Sequence, residues 1–125
     1  MAGNQVRVLI ADDQRLFAEA LEAILTTDGR IVVVGRAANG EEAVALALGG
    51  RPDVVLMDIA MPVLDGIAAT EAIAVDAPET RVVVLTGSEA PDDITRARAA
   101  GAAGYVAKEQ VAGDLVRAIL DAAGR

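Results

Sequence analysis

Five short apolar runs punctuate the chain: VRVLIA from Val6, IVVVGRA from Ile31, DVVLM from Asp53, RVVVLT from Arg81 and GYVA from Gly104. Short runs of this kind, mostly rich in β-branched residues, predict strands. After each one the apolar positions change to helical spacing. Leu16, Phe17, Ala20, Leu21, Ile24 and Leu25 make one stripe, which Asp28-Gly29 should end. Asn39 and Gly40 can open a short helix carrying Ala43, Val44 and Ala47, closed by Gly49, Gly50 and Pro52. A third helix runs through Ile67 and Ile73 to a break at Pro78. A fourth opens near Pro91 and carries Ile94 and Ala97 up to Gly101, and a fifth holds Leu115, Val116, Ile119 and Leu120.

Strand and helix alternating five times predicts right-handed crossovers, and so a parallel sheet with helices on both faces. The expected class is α/β: a flavodoxin-like (βα)5, doubly wound, parallel five-stranded sheet in the order 2-1-3-4-5. Near-continuous Val, Ile and Leu content puts strands one, three and four in the centre, and the short, Gly-led fifth at an edge. In this order a crevice opens between strands one and three above their carboxyl ends, and functional residues should be sought there.

Composition removes several chemistries. The 125 residues are enough for one domain with a proper core, and with Phe17 and Tyr105 as the only aromatics that core must be aliphatic. Without cysteine there is no disulfide framework and no thiolate zinc site. Without histidine there is no Ser-His or Cys-His catalysis, and the commonest transition-metal ligand is missing. A formal net charge of −8 argues against DNA binding by this domain alone and favours cations or basic partner surfaces. No apolar run approaches the roughly 20 residues needed to cross a bilayer. The opening MAGNQVRV lacks the pattern of a secretory signal. The expectation is a soluble cytoplasmic domain with no membrane role.

The predicted strand ends carry the chemistry. Strand one ends in Asp12 and Asp13, strand three in Asp58, strand four in Thr86 and strand five in Lys108. Taken singly, each could be an ordinary polar residue facing a loop. As a set they bring three carboxylates, a hydroxyl and an ammonium to one edge of the sheet. Three like charges in one pocket would force a proton back on unless cations met them. Oxygen ligands without nitrogen or sulfur suit a hard cation such as Mg2+, which keeps several waters and leaves room for a phosphoryl oxygen. Lys108 is the only lysine in the chain, and a compact ammonium suits a point contact with phosphate or carboxylate.

The acidic pair Asp12-Asp13, Asp58 within DIAMPVLDG, Thr86-Gly87 and Lys108 after GYVA together resemble the receiver domain of two-component response regulators, over essentially the whole chain. The tail YVAKEQVAGDLVRAIL is most similar to the NarL/FixJ subgroup. The resemblance implies a receiver spanning residues 1–125, with a helix-turn-helix output domain not present in this chain. It implies that Asp58 accepts a phosphoryl group from a histidine of a partner sensor kinase. Asp13, Asp58 and the backbone carbonyl of Ala60 would hold Mg2+, and Asp12 would act mainly through a bridging water. Thr86 and Tyr105 would carry the switch to the face of helix four, strand five and helix five, with a phosphorylation-dependent homodimer as one outcome. By this resemblance the chain is no enzyme beyond its own aspartyl phosphorylation and dephosphorylation. For Tyr105 the plainer expectation is a half-buried strand residue with its hydroxyl in water.

The family often has proline after the lysine where this chain has Glu109, which leaves the geometry of that peptide open. Ala60 and Ser88 are small, which implies a phosphoryl group rather open to water. Two rivals share the fold or the chemistry. A flavodoxin-like cofactor binder would need a phosphate cradle after strand one, where ADDQRLF offers negative charge. A haloacid dehalogenase-type phosphohydrolase would need Asp-x-Asp, but Asp58 is followed by Ile59 and Ala60. A milder alternative is a stand-alone receiver that acts by docking to another protein.

Overall fold

A computed structural model of the chain describes residues 4–87 and 91–124. The strands are β1 (Val6–Ala11), β2 (Ile31–Ala37), β3 (Val54–Asp58), β4 (Arg81–Thr86) and β5 (Gly104–Ala107). The helices are α1 (Arg15–Thr26), α2 (Gly40–Gly50), α3 (Gly66–Asp76), α4 (Pro91–Ala99) and α5 (Val111–Ala122). All strand pairs are parallel, in the order β2-β1-β3-β4-β5, as the alternating pattern predicts.

Side-chain alternation along the strands divides the core in two. Val8, Ile10, Leu56, Val83 and Leu85 face Leu21 and Leu25 of α1 and Leu115 and Ile119 of α5. Leu9, Val55, Met57, Val82 and Val84 face the alanine-rich helices, where Ala43, Ala47, Ala69, Ile73 and Ala97 pack. Small side chains let those helices lie close to the sheet. On the outer strand β2 the register slips between Val8 and Leu9, so that Val34 is an extra residue bulged from the ladder.

Two sequence expectations are corrected. The α1 stripe is centred on Ala18, Leu21 and Leu25, with Phe17 and Ile24 on its flanks. Leu16 is 76 % exposed and Ala20 is exposed as well. At 100° per residue both lie outside the arc that faces the sheet. In α2, Gly49 and Gly50 lie inside the helix, and the left-handed closing residue is Arg51, with φ 47°. The guanidinium of Arg7 donates to the carbonyls of Gly50 and Arg51, both at 3.0 Å, and so satisfies the helix end with a cation, while Pro52 blocks further winding.

Candidate functional site

β1 runs directly into Asp12, whose amide donates to the Ala37 carbonyl at the end of β2. One carboxylate oxygen of Asp12 accepts from the Gln14 amide at 2.8 Å, in the turn that starts α1. The other, Oδ2, is buried without a partner among the described residues. Burial pushes the Asp12 carboxyl above its ordinary pKa, and the nearby charge of Asp58 adds to this, against the bond from Gln14. Asp13 follows it and is exposed.

Asp58 is the last residue of β3 and is 2 % exposed. Its Oδ1 accepts from the Ala60 amide at 3.2 Å, and its Oδ2 meets Lys108 Nζ at 3.2 Å. That ammonium resolves the cost of a carboxylate at the end of a strand buried throughout its length. One carboxylate oxygen from each of Asp12, Asp13 and Asp58 lies within 4.8 Å of the others.

The loop after β3 is shaped to keep Asp58 in place. Met61 is buried, while Ala60 is exposed. Val63 has φ 69°, and the Leu64 amide donates to the Pro62 carbonyl across it at 2.8 Å, a γ-turn around a β-branched residue in the left-handed region. Gly66 then donates to the Ile59 carbonyl at 2.9 Å. A Cβ at Gly66 would strike the Asp58 carbonyl oxygen, so only glycine allows α3 to start so close to the site. Asp65 caps α3 by accepting from the Ala68 amide at 2.9 Å.

β4 and β5 bring the remaining groups. Thr86 pairs with Ala107, immediately before Lys108. Thr86 is 1 % exposed, and its hydroxyl is buried without a partner among the described residues. Lys108 opens a single 3-10 turn ending at Gln110, and the Lys108–Glu109 peptide is trans. The structure therefore gathers Asp12, Asp13, Asp58, Thr86 and Lys108 at one edge, with Ala60 in the adjoining loop. Tyr105 stands apart on the edge strand, 38 % exposed, with the Arg98 guanidinium 5.8 Å from its ring centroid. That is the plainer of its two expected placements. Ser88 lies outside the described residues.

Sequence reasoning missed Phe17. It read as a core-stripe residue, yet its ring centroid lies 5.2 Å from Lys108 Nζ. No periodicity could reveal this, because the two side chains meet only through the fold.

The donor set passes a test for a hard divalent cation. All its ligating atoms are oxygens, and the pocket holds both a clustered carboxylate triad and a buried carboxylate oxygen with no partner. Among the described residues no helix is long and apolar enough to cross a membrane.

Comparison with known proteins agrees with this geometry. The transcriptional regulatory protein YxjL of Bacillus subtilis is 36 % identical over 123 residues, covering 98 % of this chain and 56 % of that protein. The chain thus spans about half the length of such curated relatives. The signal receiver domain of NarL from Mycobacterium tuberculosis superposes with a TM-score of 0.92 at 35 % identity, covering 97 % of this chain and 98 % of that one. The CheX-CheY-BeF3-Mg2+ complex from Borrelia burgdorferi contains a chain that superposes with a TM-score of 0.88 at 26 % identity, covering 96 % of this chain and 90 % of that one. The pattern of the response regulator receiver domain matches residues 8–120. With that match spanning nearly all of the sheet and the helices around it, the chain belongs to the response regulator receiver domain family and groups with its NarL-type members.

Proposed function

We propose that this domain is a phosphorylation-operated switch in which Asp58 is the phosphoacceptor. The observation that carries the reading is the convergence of Asp12, Asp13 and Asp58 within 4.8 Å, with Lys108 on Asp58 at 3.2 Å and, at the end of the adjacent strand, Thr86 with a hydroxyl that has no partner among the described residues. The donor is a phosphohistidine of a sensor kinase, since this chain has no histidine of its own. A carboxylate oxygen of Asp58 attacks phosphorus. The new O–P bond forms as the P–N bond to the imidazole breaks, and the departing nitrogen keeps the electron pair and takes a proton.

Asp13, Asp58 and the Ala60 carbonyl would hold Mg2+, with Asp12 acting through a water. When bound, the ion supplies charge neutralisation for the transferring phosphoryl oxygens. The protein's own groups do the remaining work. The rigid end of β3 fixes the Asp58 nucleophile, and the Lys108 ammonium moves from the carboxylate towards the incoming phosphoryl oxygens. The Thr86 hydroxyl then has a partner. Its movement towards the phosphoryl group frees space for the Tyr105 ring to leave Arg98 and turn inward, remodelling the face of α4, β5 and α5.

In the full-length protein we place residues 1–125 as the receiver, followed by a helix-turn-helix DNA-binding domain, so that the output is control of transcription. The names of the relatives and the acidic surface of this domain support that division of labour. Phosphorylation-dependent pairing of two receivers would couple the switch to paired DNA half-sites.

Intact mass spectrometry after treatment with acetyl phosphate tests the reading. The parent should gain one phosphoryl group only when magnesium is present, and Asp58→Asn should gain none. Asp13→Asn should lose most of the adduct. An adduct of parental yield on Asp58→Asn, or one on the parent that is indifferent to chelator, would overturn the assignment.

A further inference from the structure

We propose that Phe17 is a positioning residue for Lys108, its ring face serving as a rest on which the ammonium travels between the free and the phosphorylated site; this rests on the phosphoacceptor role of Asp58. Lys108 Nζ is 3.2 Å from Asp58 Oδ2 and 5.2 Å from the Phe17 ring centroid. Among the described residues the ammonium thus has an ion-pair partner in Asp58 and an aromatic partner in Phe17, and its side chain is only 24 % exposed.

These two partners differ in what happens to them. When Asp58 becomes an acyl phosphate, its carboxylate charge disappears and the negative charge moves outward to the phosphoryl oxygens. The ammonium must then follow that charge from the carboxylate to the phosphoryl oxygens, on a flexible four-carbon stem that starts at the first residue of a single 3-10 turn. The negative face of an aromatic ring does not change with the charge state of Asp58. Phe17 is also well fixed. It lies one residue before the buried Ala18, and its ring packs on the cluster built around Leu21, Leu25, Leu115 and Ile119. The ring thus restricts where the lysine head can go in both states, without competing for its hydrogen bonds.

The chain offers an unusually clean test, because Phe17 is its only phenylalanine and Lys108 its only lysine. A sample labelled in those two residue types carries one phenylalanine and one lysine spin system, with a single Hε methylene. In the parent, the Lys108 Hε protons should lie upfield of the ordinary lysine position through the ring current. They should also give a cross-peak to the Phe17 ring protons. Phe17→Leu keeps an apolar side chain of similar bulk and removes the ring face. Its Lys108 Hε protons should return to the ordinary position, and its rate of magnesium-dependent phosphorylation by acetyl phosphate should fall about three- to tenfold. Phe17→Tyr restores the ring face, and should recover the upfield shift and most of the rate.

Ordinary lysine shifts with no cross-peak in the parent would overturn the proposal. So would a parental rate in Phe17→Leu, or equal slowing in the Leu and Tyr variants, since packing rather than the ring face would then be what matters. A parent that takes no phosphate overturns the phosphoacceptor reading, and with it the role of Phe17 in transfer; the cross-peak, recorded without any donor, still decides whether the contact exists.

Discussion

The two ends of the sheet treat buried polar groups in opposite ways. At the amino-terminal edge no buried side-chain polar atom of the described residues is without a partner. The Thr80 hydroxyl, 5 % exposed as a residue, donates to the Pro52 carbonyl at 2.8 Å. The Asp53 carboxylate accepts from the Arg7 amide at 2.8 Å, and Asp28 accepts from both the Arg30 amide and its guanidinium. At the carboxyl-terminal edge, an oxygen of Asp12 and the hydroxyl of Thr86 are buried without partners among the described residues. Such atoms cost stability unless something arrives to bond them. Among the described residues, only the carboxyl-terminal edge keeps buried side-chain polar atoms without partners.

The strongest test of this contrast is to disturb how the open edge is built. Gly66→Ala places a methyl group against the Asp58 carbonyl and should cost about 3 kcal/mol, while also displacing Asp58, the proposed phosphoacceptor. Urea denaturation should show the loss, and the yield of phosphoryl adduct should fall with it. An alanine variant with parental stability would show that α3 can retreat without cost.

A matched pair of threonine substitutions follows. Thr80→Val removes a satisfied hydroxyl and leaves the Pro52 carbonyl without its donor, for an expected loss of ~1–3 kcal/mol. Thr86→Val removes a hydroxyl that has no partner among the described residues, and without phosphoryl donor it should be neutral or slightly stabilising. The same variant should accept phosphate yet fail to change its association state. Equal losses from the two substitutions in chemical denaturation would erase the distinction between the edges.

The smallest expected effect concerns the closed edge and pH. Hydrogen bonds from Arg30 hold the Asp28 carboxyl down to about 2, from an ordinary value of 3.8. A lowered folded-state pKa contributes stability above the unfolded value, and that contribution is lost as pH falls from 3.8 towards about 2. Asp28 is partly exposed and its partner Arg30 lies at the surface, so solvent screening keeps the effect slight. Comparing the acid-side melting curves of the parent and Asp28→Asn should show the parent losing more in that window, and coincident curves would remove Arg30 as the cause. An NMR titration of the Asp28 carboxyl would locate the midpoint directly.

Strand identity, strand order and the converging strand ends were legible because a parallel strand buried on both faces must be written as a continuous apolar run. Val54 to Met57 leaves no other reading, and the aspartate after it then has to be explained. Leu16 was misplaced because hydrophobicity alone cannot tell a core-facing residue from an exposed one in the first turn of a helix. Gly49, Gly50 and Pro52 read as the close of α2, but both glycines lie inside the helix and the left-handed residue is Arg51, where Arg7 of β1 bonds the last carbonyls. Phe17 on Lys108 and the γ-turn at Val63 were invisible for a related reason: each depends on contacts or strain imposed by the assembled fold, and neither residue type announces it.

The strand order has a consequence for how the domain is made. From β1 through β3, β4 and β5 the strands lie side by side in the order of synthesis, and only β2 is set on the other flank. The first 58 residues therefore contain all three carboxylates of the pocket, while the ammonium that meets Asp58 is supplied 50 residues later, directly after the outermost strand. Up to the end of β4 the chain has supplied the three carboxylates and no ammonium, and docking of β5 brings Lys108 against one of them, Asp58. Attachment of the last strand and formation of the Lys108–Asp58 ion pair are therefore linked: the chain that completes the sheet also carries the ammonium to the carboxylate.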